Sequence, residues 1–358
     1  MKIVFIVGSL TDSHIIKRVE AFVEKGFQVE VYGYMRDVSF VNKYKGIEPH
    51  VLGVVENERY INRIIPVWKD VTRILHSFTS NTIFYLWGFD IAISALFRNN
   101  RYIYEISDVR YASFKKPISA LLRLLDRLII RRSIATVITS EGFVDYLGNN
   151  DKFEKKFILL PNKLSRRMLE VGRPHAFGSE ENDKIRLGYV GLYRYPNTVV
   201  KLAEIVGESF PSMEFHFWGV GDDTIMTKIN SIVSRYSNVI EHGPFKNPND
   251  LQRVYSTIDI VACNYDTNGV NERMAEPNKL YESVFFNKPI IVSENTFLSK
   301  KVRKLGIGLV INNSKDDMLS FLEKINRDIL EEISKREMAI DAKDLVEDYE
   351  ELWKIIEE

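Results

Sequence analysis

The sequence lacks the features of disulfide-stabilised, membrane-spanning and nucleic-acid-binding proteins. Cys263 is the only cysteine among 358 residues, so no disulfide can form within the chain, and a reducing compartment is expected. No run approaches the ~20 apolar residues that cross a bilayer. Lys plus Arg and Asp plus Glu both total 49, so no charge excess favours nucleic acid as a partner. These absences predict a cytoplasmic protein, either soluble or peripheral on the inner face of the cell membrane.

Metal-binding patterns are absent from the sequence as well. It contains no Asp-x-Asp and no close His/Cys grouping with metal-ligand spacing. A metal-bridged diphosphate is therefore not expected, and the sequence predicts neither a metal site nor another cofactor.

Short β-branched runs alternate with amphipathic segments, which predicts parallel sheets with crossover helices. Strands are expected at 2–7, 28–34, 82–87, 102–106, 136–139 and 158–161, and again at 185–191, 214–218, 239–240, 258–262, 289–292 and 308–311. The length suits two α/β domains. We place them at 1–165 and 185–335, joined by a polar linker at 166–184 and followed by a helical C-terminal segment at 336–358.

The most informative segment is 276–282 (EPNKLYE), followed by KPIIV at 288–292. Pro277 and Asn278 precede a predicted helix start, where free backbone N–H groups, Lys279 and the helix dipole favour an anion such as a phosphate. Glu282 lies one turn later on the same face, where its carboxylate can accept hydrogen bonds from two ribose hydroxyls. The alternative is an ordinary helix start in an α/β domain.

Residues 277–282 together with 288–291 resemble the nucleotide-sugar signature of GT-B glycosyltransferases, family four in particular, which commonly serve surface polysaccharide synthesis. The resemblance implies two Rossmann-like, doubly wound α/β domains facing a cleft, with a C-terminal helix that returns to the first domain. It also implies donor binding by Pro277, Asn278, Lys279, Leu280 and Glu282.

Two glycine-containing strand ends extend the resemblance on the donor side. Gly191 ends the first strand of the second domain and is followed by Arg194, whose planar guanidinium suits a diphosphate. Gly219 and Gly221 form a Gly-x-Gly at the next strand end, and Phe245 lies in a segment that lines the nucleotide base in the family. A tight strand-to-helix turn and core packing are the alternative interpretations.

The sequence departs from the family pattern at two places. The lysine expected after the arginine is replaced by residues 196–198 (PNT). The glutamate expected eight residues before Glu282 is Met274, and Glu272 or Glu276 could substitute for it from the loop. The donor sugar and the anomeric outcome therefore stay open.

The expected catalytic groups are Lys279, Arg194 and Asp108. Lys279 and Arg194 would stabilise charge on the leaving nucleoside diphosphate, together with the N–H groups of the helix start. Asp108 follows a strand, where the family faces its acceptor, and could act as a general base in an inverting reaction or orient the acceptor in a retaining one. Capping of the next turn is the alternative for Asp108.

Further acceptor-side residues are Glu105, Ser9 and His14. Glu105 and Asp108 place two carboxylates at one strand end, and Ser9 and His14 lie between the first strand and its helix. A histidine at a helix start more often has no chemical role.

The segment from Lys115 to Arg132 alternates leucine and isoleucine with basic residues, and Arg123, Arg127 and Arg131 recur every four positions. Such a helix could rest on an anionic membrane surface, at ~1 kcal/mol per basic residue. A domain helix with a solvated arginine face is an equal alternative.

The sequence therefore predicts a metal-independent glycosyltransferase. It would move a sugar from a nucleoside diphosphate sugar, expected to be a UDP-sugar, to a hydroxyl of a glycan or lipid-linked glycan. The alternatives are a nucleotide-sugar epimerase of GT-B fold and a degenerate, non-catalytic nucleotide-binding protein.

Overall fold

The chain forms two compact units. The computed structural model describes residues 1–35, 44, 46–54, 60–79, 81–148, 156–174 and 184–358. Unit 1 comprises Met1–Pro161 and Asp348–Glu358, and unit 2 comprises Asn162–Glu347. Residues 175–183 of the linker predicted at 166–184 lie outside the described residues, which stop at 174 and resume at 184.

Unit 1 is built on one parallel sheet. Its strands are β1 (Lys2–Val7), β2 (Gln28–Met35), β3 (His50–Val54), β4 (Thr82–Trp87), β5 (Arg101–Ile106), β6 (Ala135–Ile138) and β7 (Phe157–Leu159). Within the described part of the chain they pair in the order β3-β2-β1-β4-β5-β6-β7. The helices are α1 (Ser13–Glu24), α2 (Tyr60–Ser77), α3 (Phe89–Ala92), α4 (Ile118–Arg132) and α5 (Gly142–Leu147), with 3₁₀ turns at Ile93–Ala95 and Arg110–Ser113.

Burial explains which strands of unit 1 the sequence predicts. Strands β1 and β4 are almost wholly buried, so they read as continuous apolar runs, as expected for parallel strands covered on both faces. Strand β3 was not predicted. It lies at the sheet edge beside β2, and most of its residues are exposed or half-buried, so no apolar run marks it.

Unit 2 repeats this architecture on a second parallel sheet. Its strands are β8 (Ile185–Leu192), β9 (Met213–Val220), β10 (Val239–Glu241), β11 (Ile260–Cys263), β12 (Ile290–Ser293) and β13 (Gly308–Ile311), in the order β10-β9-β8-β11-β12-β13. The helices are α6 (Met168–Val171), α7 (Val199–Ser209), α8 (Asp223–Arg235), α9 (Leu251–Ser256), α10 (Val270–Met274), α11 (Asn278–Phe285), α12 (Phe297–Leu305), α13 (Lys315–Lys324) and α14 (Arg327–Met338), followed by a 3₁₀ turn at Ala342–Leu345.

The last helix, α15 (Glu350–Glu357), belongs to unit 1. Leu352, Trp353 and Ile356 are buried in the unit 1 core, and the Trp353 ring lies edge-on to Phe22 at 4.6 Å between centroids. The returning helix is therefore shorter than the predicted segment 336–358, because α14 and a 3₁₀ turn occupy the start of that range.

Two of the three arginines that recur along helix α4 do not point to solvent. Arg123 lies over the Tyr146 ring, 5.4 Å from the centroid, and Arg127 donates a hydrogen bond to the Leu147 carbonyl. Both side chains are half-buried. The proposed lipid-facing row of Arg123, Arg127 and Arg131 is therefore wrong for its first two members, which pack on α5. Among the described helices, none is long and apolar enough to cross a membrane.

Candidate functional site

The candidate site of unit 2 lies where the strand order reverses. Strand β8 is flanked by β9 on one side and by β11 on the other, and ligands of open α/β sheets bind at the carboxyl ends of strands beside such a reversal. The segments that follow β8 and β11 meet there, because the rings of Tyr195 and Tyr265 stack at 4.4 Å between centroids.

Lys279, the second residue of α11, lies at this position. Its side chain is buried, with 8% of the residue exposed, and Nζ lies 5.5 Å from the Tyr189 ring centroid and 5.7 Å from that of Tyr265. Within the described residues, its ammonium has neither an ion pair nor a hydrogen bond. Burial lowers the pKa of Lys279; Cys263 and Glu282 oppose this shift, and the positive charge of Arg194 adds to it. An anion bound beside the ammonium would offset the cost of burial and the repulsion by Arg194.

Arg194 supplies the second positive charge. It follows β8 and is exposed, and its backbone N–H donates to the Tyr189 hydroxyl at 3.1 Å, which fixes the turn. No side chain of the described residues caps the N-terminus of α11, where Pro277 occupies the cap position. The lysine, the arginine and the uncapped N–H groups are therefore all groups of the kind that anions bind, and they belong to one unit.

Glu282 lies one turn after Lys279 and is buried. The amide of Asn278 donates to Oε1 at 2.7 Å, as the helical spacing predicts. The Tyr255 hydroxyl donates to Oε2, also at 2.7 Å. Since each carboxylate oxygen can accept a second hydrogen bond, Glu282 is held in position and keeps capacity for two further donors.

The glycines of this site are required by the backbone itself. Gly191 has a φ of +112°, and a Cβ there would lie 3.2 Å from Nζ of Lys279. A Cβ on Gly219 would lie 1.8 Å from the Gly191 carbonyl oxygen, and one on Gly221 would meet Ile225 at 2.3 Å. Gly219 and Gly221 are therefore explained by close packing within unit 2, without a ligand.

Two residues assigned to the donor belong to the core. Leu280 is buried in the apolar cluster beneath α11, so its predicted donor contact is wrong. Phe245 is half-buried and packs against the same cluster, as the core interpretation expects.

The two proposed substitutes for the missing glutamate differ in their surroundings. Glu276 is buried, pairs with Lys301 at 2.7 Å and accepts a hydrogen bond from Tyr281. Glu272 is half-buried, and its charge contributes, after burial, to raising the pKa of Tyr195 to about 12. Glu276 is therefore committed to structural contacts, while Glu272 lies on the side of the site where Tyr195 is found.

Unit 1 has its own pocket at the carboxyl ends of β1, β4 and β5. Its cavity volume is about 100 Å³, it opens to solvent, and its lining includes Ser9, Asp12, Trp87, Phe89, Asp90 and Asp108. One Asp108 oxygen accepts a hydrogen bond from Arg110 at 2.8 Å. One Asp12 oxygen accepts from the backbone N–H of His14 at 2.9 Å and caps α1. Three carboxylates and four aromatic residues, Trp87 and Phe89 together with Tyr34 and Tyr111, thus line this pocket.

Glu105 does not reach the pocket surface. It is fully buried and is held by Arg18, whose Nη2 donates to Oε1 at 2.8 Å and whose Nε donates to Oε2 at 3.1 Å. Tyr85 also donates to this carboxylate. The predicted acceptor contact of Glu105 is therefore wrong, because the carboxylate is part of a buried ion pair that supports β5.

The sequence prediction missed the tyrosines that shape the unit 2 site. Tyr189 and Tyr265 lie against Lys279, and Tyr255 holds Glu282. Tyr189 stands within the Gly-Tyr-Val-Gly of β8, so its proximity to the glycine was a usable signal. Tyr255 and Tyr265 lie on other elements, and only the fold brings them to α11.

The sequence was compared with protein families and with characterised proteins. No family model matches the chain. It is 20% identical over 339 residues to the succinoglycan biosynthesis protein ExoL of Rhizobium meliloti (strain 1021), covering 89% of this chain and 83% of that protein.

Solved structures match over nearly the full length. Sucrose-phosphate synthase from Thermosynechococcus elongatus superposes with a TM-score of 0.70 at 14% identity, covering 99% of this chain and 96% of that one. Anabaena Alr3699/HepE in complex with UDP-glucose gives 0.69 at 12% identity, with 100% and 97% covered. The UDP-GlcNAc 2-epimerase of Neisseria meningitidis, bound to UDP-GlcNAc, gives 0.64 at 13% identity, with 93% and 94% covered. This likeness shows that the chain has the GT-B fold of two parallel-sheet α/β domains.

Proposed function

We propose that this protein is a glycosyltransferase whose unit 2 binds a nucleoside diphosphate sugar, with UDP as the nucleotide. The observation that carries the proposal is the buried Lys279 ammonium, which lies beside the Gly191 backbone and makes no ion pair or hydrogen bond among the described residues, although the Glu282 carboxylate attracts it from beyond ion-pair distance. A buried cation without a direct partner is unfavourable, and a bound anion would supply the missing contact. A diphosphate has the charge and size for this role.

The contacts of Glu282 support the nucleoside part of the proposal. Its carboxylate is fixed by Asn278 and Tyr255 and keeps two acceptor positions, which suits the two hydroxyls of a ribose. Two of the solved structures above, those of HepE and of the 2-epimerase, contain UDP-glucose and UDP-GlcNAc, which favours UDP as the first nucleotide to test.

We also propose that transfer does not require a metal. Lys279, Arg194 and the N–H groups at the start of α11 place positive charge where the leaving diphosphate would lie, and preorganised charge of this kind stabilises a transition state without a metal ion. Activity that disappears with a chelator and returns with magnesium or manganese would contradict this proposal.

The pocket of unit 1 is the proposed acceptor site. Aromatic surfaces such as Trp87 and Phe89 suit the apolar face of a sugar, and the carboxylates of Asp12, Asp90 and Asp108 suit its hydroxyls. The lining thus has three acidic residues and one basic residue, Arg110. This excess of negative charge favours a neutral hydroxyl acceptor over a phosphorylated one. A glycan or lipid-linked glycan has this chemistry, and the ExoL likeness makes polysaccharide synthesis the first pathway class to examine.

The test begins with thermal unfolding in the presence of UDP, GDP, ADP and their glucose conjugates. A ligand at one hundred times its dissociation constant adds about 2.7 kcal/mol to stability, so a rise of the midpoint with UDP compounds is expected. The preferred UDP-sugar is then incubated with and without lipid-linked glycan acceptors, while released UDP is measured.

The three candidate functions give different results in this assay. UDP release that depends on an acceptor supports a transferase. Conversion of the donor sugar without an acceptor identifies an epimerase. Nucleotide binding without turnover identifies a degenerate binding protein, and the absence of binding to any nucleotide refutes the donor site.

A further inference from the structure

Helix α4 presents an apolar face to solvent. Ile118, Leu121, Leu124 and Leu128 are 55%, 57%, 54% and 40% exposed, although large aliphatic side chains are usually covered. The three leucines follow the spacing i, i+3, i+7, so they share one face of the helix. We call Ile118, Leu121, Leu124 and Leu128 the outer face of α4.

Basic residues lie at both ends of this face. Lys115 and Lys116 precede the helix, Arg131 and Arg132 end it, and all four are exposed. At 1.5 Å per residue, the two pairs are about 20 Å apart. The only acid of the helix, Asp126, is buried and accepts hydrogen bonds from the hydroxyls of Tyr104 and Tyr111. The outer face therefore combines exposed apolar side chains with positive charge and no negative charge from its own helix.

A second copy of the chain is a poor occupant of this face. Pairing two α4 helices in either direction brings basic ends against basic ends, which is repulsive. One helical face is also small compared with the ~800 Å² per partner of a typical stable interface. An anionic lipid surface suits both the charged and the apolar parts of this face. Its headgroups attract the basic ends, and its acyl boundary accepts the leucines.

We propose that the outer face of α4 docks unit 1 onto anionic membranes, with Leu121, Leu124 and Leu128 inserted at the headgroup boundary and the basic ends on the lipid headgroups. This arrangement differs from a row of lipid-facing arginines, because Arg123 and Arg127 are turned towards α5. The apolar insertion makes the binding depend on the leucines as well as on charge.

The first experiment is co-sedimentation with vesicles of phosphatidylcholine alone and of phosphatidylcholine mixed with phosphatidylglycerol. The full chain is expected to bind the mixed vesicles and to bind them less as salt increases. The triple variant Leu121→Gln, Leu124→Gln, Leu128→Gln should lower the affinity at least about tenfold, since each leucine loses its apolar burial. Equal binding by the triple variant and the wild type would overturn the proposal.

Two arginines of the same helix provide a matched pair. Arg131→Gln should weaken binding to mixed vesicles by roughly fivefold, the equivalent of one surface cation, while Arg123→Gln should leave it unchanged. A loss with Arg123→Gln equal to that with Arg131→Gln, at an unchanged thermal midpoint, would contradict the orientation of the helix on the lipid.

A fluorescent label locates the contact directly. Cys263 is buried and is the only cysteine, so Leu124→Cys can be labelled selectively with an environment-sensitive dye. Lys228→Cys, exposed on α8 of unit 2, is the control. A blue shift with mixed vesicles at position 124 and none at position 228 is expected. A shift at position 124 without vesicles that accompanies a doubling of mass in light scattering would instead identify a second copy as the occupant and refute lipid docking.

Discussion

Replacing Lys279 with methionine should stabilise the ligand-free protein. The lysine side chain is buried against Tyr189, Tyr265 and the Gly191 backbone. Its ammonium makes no ion pair or hydrogen bond in the described part of the chain, and Glu282 is the one carboxylate that attracts it there. Methionine keeps an unbranched chain of similar length and removes the charge. Functional residues often reduce the stability of the free protein in this way.

The expected gain follows from the desolvation of the ammonium group. A buried polar group without a hydrogen-bond partner costs about 1–3 kcal/mol, and a charged one costs more. We therefore expect Lys279→Met to raise the free energy of unfolding by about 1–3 kcal/mol at neutral pH. Because burial lowers the folded-state pKa of Lys279 below the ordinary value of 10.5, the penalty is present at neutral pH and is lost as the pH rises through the lowered pKa towards 10.5.

Urea unfolding at neutral pH measures this difference, and Lys288 provides a control. Lys288 is also a buried lysine of unit 2, but the carboxylates of Asp259 and Glu337 act on it electrostatically. Lys288→Met should therefore destabilise the protein, because it leaves buried acids without their counter-charge. UDP should raise the thermal midpoint of this control by more than it raises that of Lys279→Met.

The reasoning is refuted if Lys279→Met lowers the free energy of unfolding as Lys288→Met does. That result would mean that the Lys279 ammonium is stabilised within the ligand-free chain and that no anion is needed to satisfy it.

Three further predictions concern other parts of the two units. Glu282→Gln should weaken UDP binding by about 10- to 150-fold, since a charge-assisted acceptor contributes about 1.5–3 kcal/mol, but should leave pyrophosphate binding unchanged; calorimetry with both ligands separates a ribose contact from a phosphate contact. Burial raises the pKa of Asp126 from 3.8 to about 6, so this carboxyl penalises the folded state increasingly as the pH rises from 4 to 6. Asp126→Asn should remove that dependence, worth up to about 3 kcal/mol at neutral pH, and urea unfolding of both proteins at several pH values would reveal parallel curves if the prediction is wrong. Gly219→Ala should destabilise the protein by about 3 kcal/mol or more, because its Cβ would meet the Gly191 carbonyl at 1.8 Å, and an unchanged thermal midpoint would contradict this close backbone packing.

The sequence predicts the buried parts of the fold well because burial leaves a pattern. Parallel strands such as β1 (Lys2–Val7) and β4 (Thr82–Trp87) are apolar after their first residue and were predicted at the bounds found. The edge strand β3 (His50–Val54) is largely exposed and has no such pattern. Local spacing likewise predicted the contact of Asn278 with Glu282, because residues four apart are neighbours on a helix.

Long-range contacts account for what the sequence could not predict. Glu105 reads as an acid at a strand end, and its partner Arg18 is 87 positions away. Leu280 stands within a motif that predicts donor binding, but its side chain is buried in the apolar core beneath α11. The orientation of two arginine side chains depends on α5. Arg123 packs on the Tyr146 ring, and Arg127 donates to the Leu147 carbonyl.

The central claim is that the Lys279 ammonium binds a diphosphate. The most direct test is calorimetry of UDP and of uridine with the wild type and with Lys279→Met. The wild type should bind UDP more tightly than uridine, and most of that difference should vanish in Lys279→Met, because phosphate and ammonium interact with each other. The same preference for UDP over uridine in both proteins would contradict the account.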